Sequence, residues 1–143
     1  MLPRPSHVLF AITAALLVNP LVNAALSQDS TDAGATTLTA IYSDGQAKKG
    51  EKTFAKHCAA CHETFFFTGA RFDDVWAGHS AFDLWDRIQS SMPQDKPGSL
   101  SKQQYSEVVA YILRLNGYPP GKEALPTEPE ALKNVMIDAK RSP

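Results

Sequence analysis

Hydrophobic and polar positions divide the chain into stretches of different period. Residues 8–18, VLFAITAALLV, are almost unbroken apolar, whereas residues 25–43 are polar and aperiodic. From residue 44 the apolar positions recur at helical spacing in three places. The first, DGQAKKGEKTFAKH, predicts a helix capped at Ser43 or Asp44 that buries Ala47, Phe54 and Ala55. Gly50 inside it costs up to about 1 kcal/mol relative to alanine, which implies a close neighbour. The second helix starts at Ser80, where SAFD approximates a capping box, and runs to about Ser91 with Leu84, Trp85 and Ile88 on one face. The third is capped by Ser101 with Gln104 and carries Tyr105, Val108, Val109, Ile112 and Leu113 or Leu115 on its apolar side.

The intervals are read by their breakers. Residues 63–79 have no clean period and predict an aromatic-rich loop, and Pro93, Pro97 and Gly98 end the second helix. Asn116-Gly117 stops the third. The remainder is a proline-punctuated tail with at most one short helix from Thr127, and no strand is expected anywhere. The pattern is all-α: about three main helices joined by long loops, one domain over residues 44–118, with a C-terminal extension at 119–143.

The amino-terminal run changes the address. Arg4, the short apolar run and Val22-Asn23-Ala24 read as a signal peptide over residues 1–24, cleaved near Ala24/Ala25. The run is shorter than the about 20 apolar residues of a membrane span. An uncleaved anchor is the alternative. Residues 25–43 then form a flexible leader, the location is periplasmic, and no membrane span is expected in the mature chain. With 143 residues, 43% hydrophobic, and a formal charge of −1, neither nucleic acid nor a charged membrane surface is an expected partner.

Both cysteines of the chain lie in KHCAACHE, residues 56–63. A Cys58–Cys61 disulfide would close too short a loop to stabilise much. A thioredoxin-type dithiol needs strands that are absent from the pattern. Structural zinc needs four ligands, and Cys58, Cys61 and His62 supply three at most. Covalent attachment of one c-type haem explains the spacing. Two thiols about one helical turn apart reach two vinyl groups of a single porphyrin, and His62 falls where its imidazole coordinates the iron. Export agrees, and a buried macrocycle supplies an apolar centre that three helices lack. For the second axial position Met92, in a polar break before Pro93, is the leading candidate, because His/Met ligation suits electron transfer. His79 is its rival, and His57 is expected on the outer side of its helix.

GEKTFAKHCAACH, then SMP, then YSEVVAYILRLNG resemble a class I c-type cytochrome between about Gly45 and Tyr118. The resemblance implies that Gly50 and Phe54 of the first helix cross Tyr111 of the last. It departs from the family after His62, where Glu63 replaces a glycine and no proline precedes Pro93. Residues 82–126 are also similar to the cytochrome c domains associated with PQQ-dependent (quinoprotein) dehydrogenases. That likeness implies a carrier of single electrons rather than an enzyme, with such a dehydrogenase as donor and a terminal oxidase or other cytochrome as acceptor. The alternatives are a haem subunit of a larger dehydrogenase complex, or a small haem peroxidase or sensor with an open iron position. Phe65, Phe66 and Phe67 are expected to wall the haem edge from water, with ordinary core or an exposed docking patch as the alternatives, and Trp76, Trp85 and Arg71 are candidate contacts for its propionates.

Overall fold

The computed structural model describes residues 35–139, so the signal-peptide reading of residues 1–24 and most of the leader lie outside them. The helix with the strongest apolar pattern organises the rest. Ser101 Oγ accepts from the Gln104 backbone N–H while the Gln104 side chain accepts from Ser101 N–H, and this box opens α4, Lys102–Leu115. Every residue from Tyr105 to Leu113 is buried, polar Ser106 and Glu107 included. One helix can be buried on all sides only if other segments surround it.

α1, Asp44–His57, packs across α4. Ser43 caps it by accepting from Gln46 N–H. Its buried face is Gln46, Ala47, Gly50, Thr53 and Phe54, while Ala55, expected inside, is exposed. The face is rotated because Gly50 and not Ala55 meets α4: a Cβ at Gly50 would lie 1.8 Å from the Glu107 carbonyl oxygen. Phe54 and Tyr111 sit beside that crossing with ring centroids 5.5 Å apart. The predicted second helix is α3, Ala81–Ser91, with the full Ser80/Asp83 capping box.

Two expectations about the connecting segments are corrected. Residues 63–79 are not a plain loop but a short 3-10 turn at Thr64–Phe67 followed by a helix, α2, Ala70–Trp76. Its only buried residue is Phe72, too few for a period to register in the sequence. The proline-rich tail also joins the core: Leu125, Leu132, Val135 and Ile137 are almost fully buried, and Pro129–Lys133 forms a short helix, α5. Pro129 sits in the first turn, where its missing N–H costs nothing.

The tail meets residues 35–43, the end of the expected flexible leader, which are packed in place. Ala35–Thr36 (β1) pairs in parallel with Val135–Met136 (β2), the one strand pair among the described residues. Tyr42, wholly buried, donates from its hydroxyl to the Tyr118 carbonyl at 2.6 Å, and Gln46 exchanges two hydrogen bonds with the Leu125 backbone at 2.8 and 3.0 Å. Gly121 lies against the Ala40 carbonyl, where a Cβ would come within 2.1 Å. The strand's other side holds the loop between α2 and α3, through Gly78 N–H to Ile137 O at 2.8 Å and Ile137 N–H to His79 O at 2.9 Å. No helix of the described residues is long and apolar enough to cross a membrane.

Candidate functional site

α1 does not stop cleanly at its last residue. Cys58 N–H still bonds to Phe54 O at 2.8 Å, and the Cys58 carbonyl then accepts from both Cys61 N–H at 3.0 Å and His62 N–H at 2.9 Å. That turn brings Cys58, Cys61 and His62 to the wall of one cavity of about 1190 Å³. Small-molecule clefts run about 300–1,000 Å³, so this one suits a large planar group. The two cysteines are not bonded to each other. Cys58 is half-buried, and that burial pushes its thiol pKa up, whereas Cys61 is exposed. Among the described residues no cluster of three or more His, Cys, Asp or Glu side chains is placed to hold a metal ion unaided.

The apolar walls come from four segments: Phe54 of α1, Leu84 and Ile88 of α3, Val108 and Ile112 of α4, and Phe67 from the 3-10 turn. Phe67 stands edge-on to both Phe54, at 5.8 Å, and His62, at 5.5 Å. Asn116 fixes that turn. Its amide donates to Phe67 O at 2.8 Å and to Ile112 O at 2.9 Å, and its side-chain oxygen accepts from Gly69 N–H at 3.0 Å. The sequence marked Asn116 only as a helix stop, and no local pattern announces this second task. The His62 imidazole makes no hydrogen bond with the described residues.

Met92 lines the same cavity. It caps α3 in extended conformation, with its N–H on Ile88 O at 2.8 Å. Its carbonyl accepts from the Tyr105 hydroxyl at 2.9 Å, and Tyr105 is fully buried in α4. Tyr105 thus ties the Met92 loop to the central helix, a role hidden by its place on the apolar stripe. Tyr105→Phe removes that donor and leaves the apolar packing intact. It is expected to cost about 1 kcal/mol in urea unfolding, the usual worth of one such bond.

The sequence candidates around Met92 sort differently from expectation. His57, expected on the outer side of its helix, is half-buried and lines the cavity, as the last residue of α1 directly before the Cys58 turn. His79 does not line it. It is exposed, with Nδ1 3.7 Å from Asp83 Oδ2, and two Ser80 hydrogen bonds are the main cause holding the Asp83 carboxyl below the usual carboxylate range. Trp76 lines the cavity, but Trp85 does not: it packs between Phe82 and Tyr105, its indole N–H without an acceptor among the described residues. Arg71 also lies off the cavity, over the Phe66 ring at 5.6 Å. The cation from α3 that lines the cavity is Arg87, which the sequence reading passed over although it lies on the turn between Leu84 and Ile88. Phe65 and Phe66 are 55% and 43% exposed, so the aromatic wall is Phe67 alone.

Residues 45–112 match the family described as "Cytochrome C oxidase, cbb3-type, subunit III". The matched segment spans α1 to most of α4 and all the cavity-lining residues, and it supports a c-type cytochrome. No curated protein and no solved structure matches the chain. A cytochrome c domain carries a covalently bound haem c with its iron, and the cavity fits that group: paired thiols, an adjacent imidazole, apolar walls and cations in the lining.

Proposed function

We propose that this c-type cytochrome domain is an exported carrier of single electrons, with one haem c joined to Cys58 and Cys61 and its iron held between His62 and Met92. The observation carrying the reading is that these four side chains, brought from the α1 turn and the end of α3, line one cavity. Haem c supplies a one-electron iron couple, and His/Met ligation raises its potential. The chain's own residues keep that couple dry and fixed. Phe54, Phe67, Leu84 and Ile112 exclude water, which makes charge on the iron costlier and so favours the reduced form. Arg87 and Trp76 are the residues that would hold the propionates, as cation and indole donor respectively.

For the donor we infer a PQQ-dependent dehydrogenase, on the likeness of residues 82–126, and for the acceptor a terminal oxidase or another cytochrome in the periplasm. A second reading is a haem subunit of a larger oxidoreductase complex, favoured by the matched family's description as an oxidase subunit. A free carrier is expected to sediment at monomer mass when purified from its source, whereas a subunit travels with its complex.

The axial assignment is tested by absorption spectra of the haem-loaded protein beside Met92→Ala. The wild type is expected to show the weak far-red band of methionine on ferric iron, and the variant to lose it and become high-spin. A wild type that lacks the band and binds cyanide readily has an open iron position. The peroxidase or sensor reading would then replace the carrier.

A further inference from the structure

Packing explains Phe67 but not the two rings before it. Phe65 and Phe66 are exposed and lie face against face, centroids 4.1 Å apart. Arg71 covers one edge of the pair, its guanidinium carbon 5.6 Å from the Phe66 centroid, and Val75, one turn further along α2, is 52% exposed. Arg71 forms no ion pair with the described residues. Arg114 makes a useful contrast: it also lies over a ring, Tyr111, yet is paired with Glu51 at 2.6 Å. The Arg71 guanidinium beside this apolar patch is therefore held by an aromatic ring and forms no ion pair with the described residues.

We propose that Phe65, Phe66, Val75 and Arg71 form the docking face for a redox partner protein whose own surface presents apolar side chains flanked by carboxylates. The proposal rests on the electron-carrier reading and specifies its partner. Position supports it: Phe66 N–H bonds back to Glu63 O at 3.2 Å, directly after His62, and Phe67 of the same turn faces the His62 ring. A partner seated here approaches the haem site through one layer of side chains. Charge supports it too. Lys56 and Lys96 line the cavity against a single acid, Asp95, and form no ion pair with the described residues, in a chain whose formal total is −1. Glu63 and Asp74 are the exposed acids closest to the patch in sequence, Asp74 three residues after Arg71 on α2. Size decides the kind of partner. Two rings and a valine fall far short of the about 800 Å² per side of a stable assembly, so the face suits a short-lived encounter rather than a permanent dimer of this chain.

The reaction to be followed is simple. One electron leaves the reduced haem-loaded full chain and reduces one copper(II) to copper(I), with no proton transferred. Stopped-flow mixing would use a blue-copper protein with an acidic apolar face as the probe, and ferricyanide as a small oxidant. Phe65→Ser/Phe66→Ser and Arg71→Glu are each expected to lower the second-order rate constant with the copper protein by about tenfold or more, and added salt to shrink the Arg71→Glu effect. Lys102→Glu, the same charge change at an ion pair with Glu128 away from the cavity, is expected to stay within about twofold of wild type. If the patch variants slow the reaction no more than Lys102→Glu does, the docking face is overturned while the carrier reading stands. If the wild type reduces neither oxidant, the carrier reading itself fails.

Discussion

Gly50→Ala is expected to destabilise the haem-loaded protein by about 3 kcal/mol or more, near the upper end for overpacking a tight contact. The added Cβ would stand 1.8 Å from Glu107 O and 2.4 Å from Glu107 C, both backbone atoms in the buried stretch of α4. No rotamer change relieves a clash with main chain, so α1 and α4 must separate. That opens the Phe54–Tyr111 contact beside the crossing and the cavity that Phe54 lines. Gly45→Ala, in the same helix with nothing within 4 Å of its Cβ position, is the matched control. It is expected to be neutral or to stabilise by up to about 1 kcal/mol, through reduced unfolded-state entropy. Urea unfolding of the two variants separates steric contact from helix propensity. Similar midpoints for both would mean the crossing can widen without loss.

The second large effect is expected for Cys58→Ala/Cys61→Ala. The chain has two cysteines in all, so this variant retains no thiol for a thioether. Haem staining on a denaturing gel and intact mass are expected to lose the covalent haem entirely, whereas each single variant keeps one bond. The double variant is also expected to fail to reach a stable fold, because the apolar walls of a cavity of about 1190 Å³ would face water. Covalent haem surviving in the double variant would refute attachment at these positions.

The legible parts of this molecule share one property: their signal is local. The box at Ser101/Gln104, the cap at Ser43 and the turn from Cys58 to His62 are each fixed by residues within a few positions, and all appear as read. Gly50 was legible by its cost, which only a close backbone approach offsets. The misreadings fall where a side chain's partner is distant in sequence. Leu125, Leu132 and Ile137 lie in a proline-punctuated tail, where their spacing follows the surface they cover rather than one helical period. Arg71 and Trp85 are propionate candidates by type; neither lines the cavity, Arg71 lying over the Phe66 ring and Trp85 packing against Tyr105. Met92 lines the cavity, and the Tyr105 hydroxyl that steadies its loop has no sequence mark to tell it from any other core tyrosine.

The parallel pairing of Ala35–Thr36 with Val135–Met136 has a consequence for how the unit can be used. It puts residues 35–36, where the described part of the domain begins, on a strand directly paired with residues 135–136 near its end. A unit whose ends meet can be spliced into a surface loop of a host protein without prying the host apart. It can also be reopened at another loop after its ends are joined by a few residues. The geometry makes this domain portable: a redox cassette that a larger enzyme can carry as an insertion.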